Sequence, residues 1–235
     1  LATVTWLVSG QLHHRDSLGT DRWIQPGEVN LMQAGHGITH SERTDGALRE
    51  RPHGLLGLQS WLALPEAAED APPAFHHAGQ TDLPLLEGEG KTVRLILGNA
   101  WGARSPVPLP WETFYAEAVL APNASLPMPD NHEDRGLYVL SGEVTVAGQT
   151  FGPGQMLVFR PGDAISAKAG GQGARLMVLG GATMPGPRFI WWNFVASSQD
   201  RIEAAREAWR AGDWAHGRFH LPPGDEAEFI PAPER

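Results

Sequence analysis

The 235-residue sequence contains no cysteine. That absence removes disulfide frameworks, thiolate metal sites, CxxC redox pairs and cysteine nucleophiles. No apolar run approaches the roughly 18 to 20 residues of a membrane span. Cations are scarce and scattered: 18 Lys and Arg stand against 27 Asp and Glu, a formal charge of −9. An acidic chain without a basic cluster is a poor direct ligand for nucleic acid, which leaves small molecules or proteins as partners. There is no GxSxG elbow and no dinucleotide fingerprint. The run from Gly88 to Thr92 (GEGKT) imitates the end of a phosphate loop, but Leu85 stands where the first glycine belongs.

What is present is a chain 41% hydrophobic, enough for a sizeable core, with 28 glycines and 20 prolines spread along it. These punctuate short β-type runs at 3–8, 29–33, 54–64, 92–97, 113–120, 137–146, 156–159 and 174–180. Such spacing predicts a sandwich or barrel. One amphipathic helix is expected at about 198–211, capped by Ser197-Ser198 and ended by Gly212. The sequence opens LATVTWLV, inside what reads as a strand, which predicts that further residues precede Leu1. With no targeting segment visible, the expected location is the cytoplasm.

The chain also repeats itself. WLVSGQL (6–12) corresponds to YVLSGEV (138–144) at an offset of 132, and IQPGEVNLM (24–32) to FGPGQMLVF (151–159) at 127. Strand, Ser-Gly turn, strand, Pro-Gly turn and strand recur in the same order, so two copies of one β unit are expected. The Gly/Pro-rich stretch 98–112 reads as their connector, giving units of 1–105 and 106–235, the helix belonging to the second.

Without cysteine, the ten histidines are the main transition-metal resource. His40 and Glu42 are two apart, so on a strand both point to one face, and an imidazole with a carboxylate suits non-haem Fe(II). A surface pair at a strand end is the bland alternative, since two ligands are not a site. At the 127 offset the pair corresponds to Ala167 and Ala169, so any metal belongs to the first copy. The Asp130–Glu133 run (DNHE) reads as a solvated loop, and His76-His77 as an exposed one. Of His13 and His14 at most one faces inward, and His14-Arg15-Asp16 reads as structural. His36 and His40 share helical i, i+4 spacing, but Gly35 and Gly37 argue against helix there.

The segments VTWLVSGQLHHRDSLG (4–19), IQPGEVNLMQAGHGITHSE (24–42), HGLLGLQSWLAL (53–64), VRLILGNAWGARSPV (93–107) and RFIWWNFVASSQDRIEAAREAW (188–209) together resemble the pirin family of bicupins. The resemblance covers essentially the whole chain. It implies an all-β bicupin: two tandem jelly-roll (double-stranded β-helix) barrels with a C-terminal α-helix. It further implies a mononuclear metal, Fe(II) or another divalent transition ion, in the N-terminal barrel only. His40 and Glu42 match two of the family's four ligands, and the remaining two histidines are expected upstream of Leu1. The implied chemistry is quercetin 2,3-dioxygenase-type oxidation of a flavonol with O₂, with Glu42 as ligand and catalytic proton acceptor. The pocket walls are expected to be apolar, with Trp6, Met32 and Trp61 as candidates, although plain core packing is the stronger reading of those three. The alternative implied by the family is a non-enzymatic, metal-dependent regulator binding a transcription factor or metabolic enzyme.

Overall fold

The computed structural model describes residues 1–44 and 46–234. They form two compact units, the first of Leu1–Gln80 with Met184–Arg235, the second of Thr81–Thr183. This division differs from the expected one at 105/106. The 98–112 stretch lies in the second unit and carries a small hairpin, Asn99–Ala100 against Ala103–Arg104. The C-terminal helix packs with the first unit, a long-range association invisible in local pattern.

The first unit is built from β1 (Ala2–Ser9), β2 (Leu12–Asp16), β3 (Asp21–Ile24), β4 (Val29–Gln33), β5 (His40–Arg43), β6 (Leu56–Leu62) and β7 (Ala74–Ala78). Two sheets result, one ordered β6-β1-β4-β7 and the other β3-β2-β5. Strand β1 alternates small or apolar residues with threonine. Pleating therefore sends Ala2, Val4 and Trp6 to one face and Thr3 and Thr5 to the other. Register extends the threonine face sideways: Thr3 lies opposite Met32 and Trp61, and Thr5 opposite Asn30 and Gln59. Trp6, only 1% exposed, is core on the other face and does not line the cavity beside His40. His76 and His77, expected in a loop, lie in β7, held by its antiparallel pairing with β4; His77 Nδ1 also meets Asn30 Oδ1 at 2.7 Å.

The second unit centres on the long strands Asp134–Val146 and Ser166–Gly181, paired antiparallel within an eight-stranded sheet. Its interior is apolar, with Phe114, Leu137, Val139 and Leu176 fully buried. Ala167 and Ala169 belong to that core. His132, expected on a solvated loop, is instead buried: Nδ1 meets Glu112, Nε2 meets the Asn99 carbonyl oxygen, and the ring stacks on Phe114. The ring's full set of polar partners is what makes this burial tolerable.

The helix spans Gln199–Ala211, buries Ile202 and Ala205, and ends at Gly212 in the left-handed conformation (φ 63°). The Ser198 hydroxyl accepts from the Arg201 N–H. Ser198→Ala is therefore expected to cost about 1 kcal/mol, read as a melting-temperature drop of roughly 2–4 °C. Among the described residues no helix is long and apolar enough to cross a membrane.

Candidate metal centre

The loop 33–39 joins β4 to β5 and leads into the strand that carries His40 and Glu42. Gly35 (φ 51°) is required at its apex, because a Cβ there would meet the Ala71 carbonyl oxygen at 2.0 Å. That oxygen accepts from the His36 N–H at 2.9 Å and pins the turn. The Thr39 hydroxyl donates to the His220 carbonyl, and the Thr39 N–H to Ser17 Oγ. The end of the loop is thus fixed just before His40.

On β5, His40 and Glu42 fall on one face, as the i, i+2 spacing requires. His40 Nδ1 lies 3.1 Å from Met32 Sδ, and Nε2 has no hydrogen-bond partner among the described residues. The His40 ring is open to a cavity, while the protein packed around its other sides pushes its pKa down. The imidazole is thereby kept neutral, with a lone pair to offer. Glu42 accepts from Gln59 Nε2 at 3.1 and 3.0 Å. Burial opposes ionisation of Glu42, but His14, His40 and Gln59 outweigh it and hold its pKa below the usual carboxylate value.

Beside both, on β2, lies His14, read from the sequence as structural and 2% exposed, its ring centroid 5.7 Å from that of His40. Register places His14 opposite Glu42 and Asp16 opposite His40. His14 Nε2 meets Asp16 Oδ2 at 3.1 Å, and Nδ1 lies 3.9 Å from Glu42 Oε1. Its ring stacks on Phe75. Burial disfavours the charged ring, but the two flanking carboxylates prevail and raise its pKa. Asp16 is oriented in turn by the N–H groups of Leu18 and Thr20. His13 faces away, stacked on Trp23 and paired with Asp21. Gln59 was also missed, although a lone glutamine in the apolar run GLLGLQSWLAL marks a polar position on that strand.

The cavity beyond His40 measures about 190 Å³. Thr3, Met32, Gln59 and Trp61 contribute from the strands. Trp192, Phe194, Trp209 and Phe219 contribute from the C-terminal segment. Trp209 is the hub of this wall, with Trp192 at 5.5 Å and Phe219 at 5.4 Å between ring centroids. Of the three expected wall residues, Met32 and Trp61 line the cavity.

Family profiles match both parts of the chain: Pirin over residues 1–62, and the pirin C-terminal cupin domain over residues 115–215. A pirin-like protein of Caulobacter vibrioides is 46% identical over 235 residues, covering 100% of this chain and 79% of that one. The chain belongs to the pirin family. This pirin is also 36% identical to a Pseudomonas aeruginosa protein that carries the provisional name quercetin 2,3-dioxygenase, covering 99% of this chain and 72% of the relative. A crystal structure of a quercetin 2,3-dioxygenase from Acinetobacter baumannii superposes with TM-score 0.88 at 31% identity, covering 99% of this chain and 75% of that one. The all-β cupin architecture with its C-terminal helix accords with that match.

The donor chemistry of this pirin fits a divalent transition ion in part. A neutral imidazole lining a cavity and an ionised carboxylate on the same strand face are the N/O ligation that such ions take. Asn30 Nδ2, on the same side of the sheet as Gln59, is buried without a hydrogen-bond partner. Among the described residues, however, no group of three or more His, Cys, Asp or Glu is placed to hold an ion. His40 and Glu42 are thus two donors of a larger set. His14, engaged with Asp16, supports the carboxylate. On that basis His14→Ala is expected to weaken metal binding about 10- to 100-fold, measured by competition with a chromogenic chelator.

Proposed function

We propose that this pirin oxidises a flavonol such as quercetin with O₂ at a single divalent transition metal, iron(II) in the first instance, held in part by His40 and Glu42. The observation that carries this reading is that His40, which lines a cavity with aromatic residues in its wall, shares one face of β5 with Glu42. The quercetin dioxygenase names of its relatives support it.

When bound, the metal would supply a Lewis acid that makes a substrate hydroxyl more acidic. The chain's own residues then have defined tasks. Glu42, already ionised, accepts the proton of that hydroxyl at a carboxylate oxygen. Gln59 and His14 hold the carboxylate in one orientation. Trp61, Trp192 and Phe194 present flat apolar faces to the substrate rings and keep water from the reacting atoms.

Metal removal tests the reading. Loss of the flavonol absorbance band is expected with metal-loaded protein and not after dialysis against a chelator. Equal rates in both samples would overturn it.

A further inference from the structure

Aromatic side chains line the cavity together with three charged ones, Arg201, Arg218 and Glu69. Arg201 is committed, forming a bidentate pair with Asp70 at 2.8 and 2.6 Å and lying 3.6 Å from Glu69. Glu69 is buried and also faces Arg188 at 3.5 Å. Arg218 differs. It is solvent-exposed, and among the described residues no carboxylate lies within ion-pair distance of its guanidinium. Arg188, Arg201 and Arg218 gather around Glu69 and Asp70, with Glu66 also acting on Arg201, and Arg218 is the one of the three with no ion pair among the described residues. A guanidinium without a paired carboxylate attracts anions to the cavity that it lines.

Arg218 is also held in place. Its Nε donates to the His36 carbonyl oxygen at 2.6 Å, and its guanidinium sits 5.5 Å from the centroid of Phe219. Gly37 leaves the room: a Cβ there would meet Phe219 Cε1 at 3.0 Å and Arg218 Nε at 3.4 Å. The anchored Nε fixes the fork on the loop that leads to His40, and among the described residues both terminal nitrogens have no hydrogen-bond partner. A guanidinium fork is the donor geometry that a planar carboxylate accepts. The cavity, at about 190 Å³, is smaller than the roughly 300 Å³ at which drug-sized ligands are enclosed. Its enclosed part takes one aromatic ring with its substituents, so the further ring of a flavonol would extend through the opening.

We propose that Arg218 is a specificity-determining residue that selects aromatic ligands bearing a carboxylate. This rests on reading the cavity as the substrate pocket of the proposed activity. The probe pair is 4-hydroxybenzoate and its primary amide, titrated against tryptophan fluorescence, since Trp61, Trp192 and Trp209 line the cavity. The acid is expected to bind about tenfold more tightly than the amide, as a charge-assisted hydrogen bond at an exposed site provides, with the preference shrinking in high salt. Arg218→Gln is expected to bring the ratio to about one, the acid losing the larger share of its affinity, and Arg218→Lys to retain part of the preference. Equal binding of acid and amide, no binding of the acid, or an unchanged ratio in Arg218→Gln would each overturn the proposal. Flavonol turnover measured on the same samples separates the two readings. Selectivity without turnover removes only the dioxygenase, and turnover without selectivity removes only the role of Arg218.

Discussion

Glu42→Gln is expected to lower flavonol turnover by about 10²- to 10⁴-fold, the range over which a positioned proton acceptor contributes. The substitution preserves shape but removes the charge. It also sets an amide against the Gln59 Nε2 donor, which lies 3.0 and 3.1 Å from the two carboxylate oxygens. One of those contacts becomes donor against donor, so Gln59 must turn away. A neutral amide is also a poorer partner for a cation than a carboxylate, so metal content is expected to fall alongside turnover. Steady-state kinetics together with elemental analysis measures both. Turnover within a factor of ten of the parent at matched metal content would remove Glu42 from the reaction.

Gly35→Ala is expected to be the most disruptive small substitution near the site. The new methyl would sit 2.0 Å from the Ala71 carbonyl oxygen, with φ at 51°. Left-handed backbone costs an L-residue about 1–2 kcal/mol, and overpacking adds about 1–3 kcal/mol. A melting-temperature drop of roughly 5–15 °C follows for a chain of this size. Because the loop runs directly into β5, His40 is expected to shift and turnover to fall further than stability alone explains. Gly19→Ala is the control. Its φ is 86°, but nothing lies within 4 Å of the added methyl, so only the backbone cost remains. Equal melting temperatures for the two variants would show that the Gly35–Ala71 contact is not tight.

Much of this was legible in the residues, and the exceptions share a cause. The repeat placed His40 and Glu42 opposite Ala167 and Ala169, and the second unit does bury those alanines in an apolar core. The strand expected at 29–33 is observed as Val29–Gln33, and the helix at 198–211 as Gln199–Ala211, because alternation and capping are local signals. Sheet register is not local. His14 meets Glu42 only because β2 pairs with β5, and His76 and His77 are strand residues only because β4 accepts them. The same holds for the C-terminal segment. Nothing near Trp192, Trp209 or Phe219 signals that they wall a cavity begun by Thr3 and His40, at the other end of the chain. Asp16 could have been read with more weight. It stands two residues from His14, the same one-face spacing that singled out His40 and Glu42.

The account stands or falls on His40 and Glu42 as the seat of metal-dependent oxidation. Oxygen uptake with quercetin, recorded for iron(II)-loaded parent protein and for His40→Ala treated identically, tests this most directly. The parent is expected to consume O₂ in step with flavonol loss, and the variant to show neither while keeping its circular dichroism spectrum. Equal uptake by both proteins, or none by a parent shown to hold metal, would contradict it.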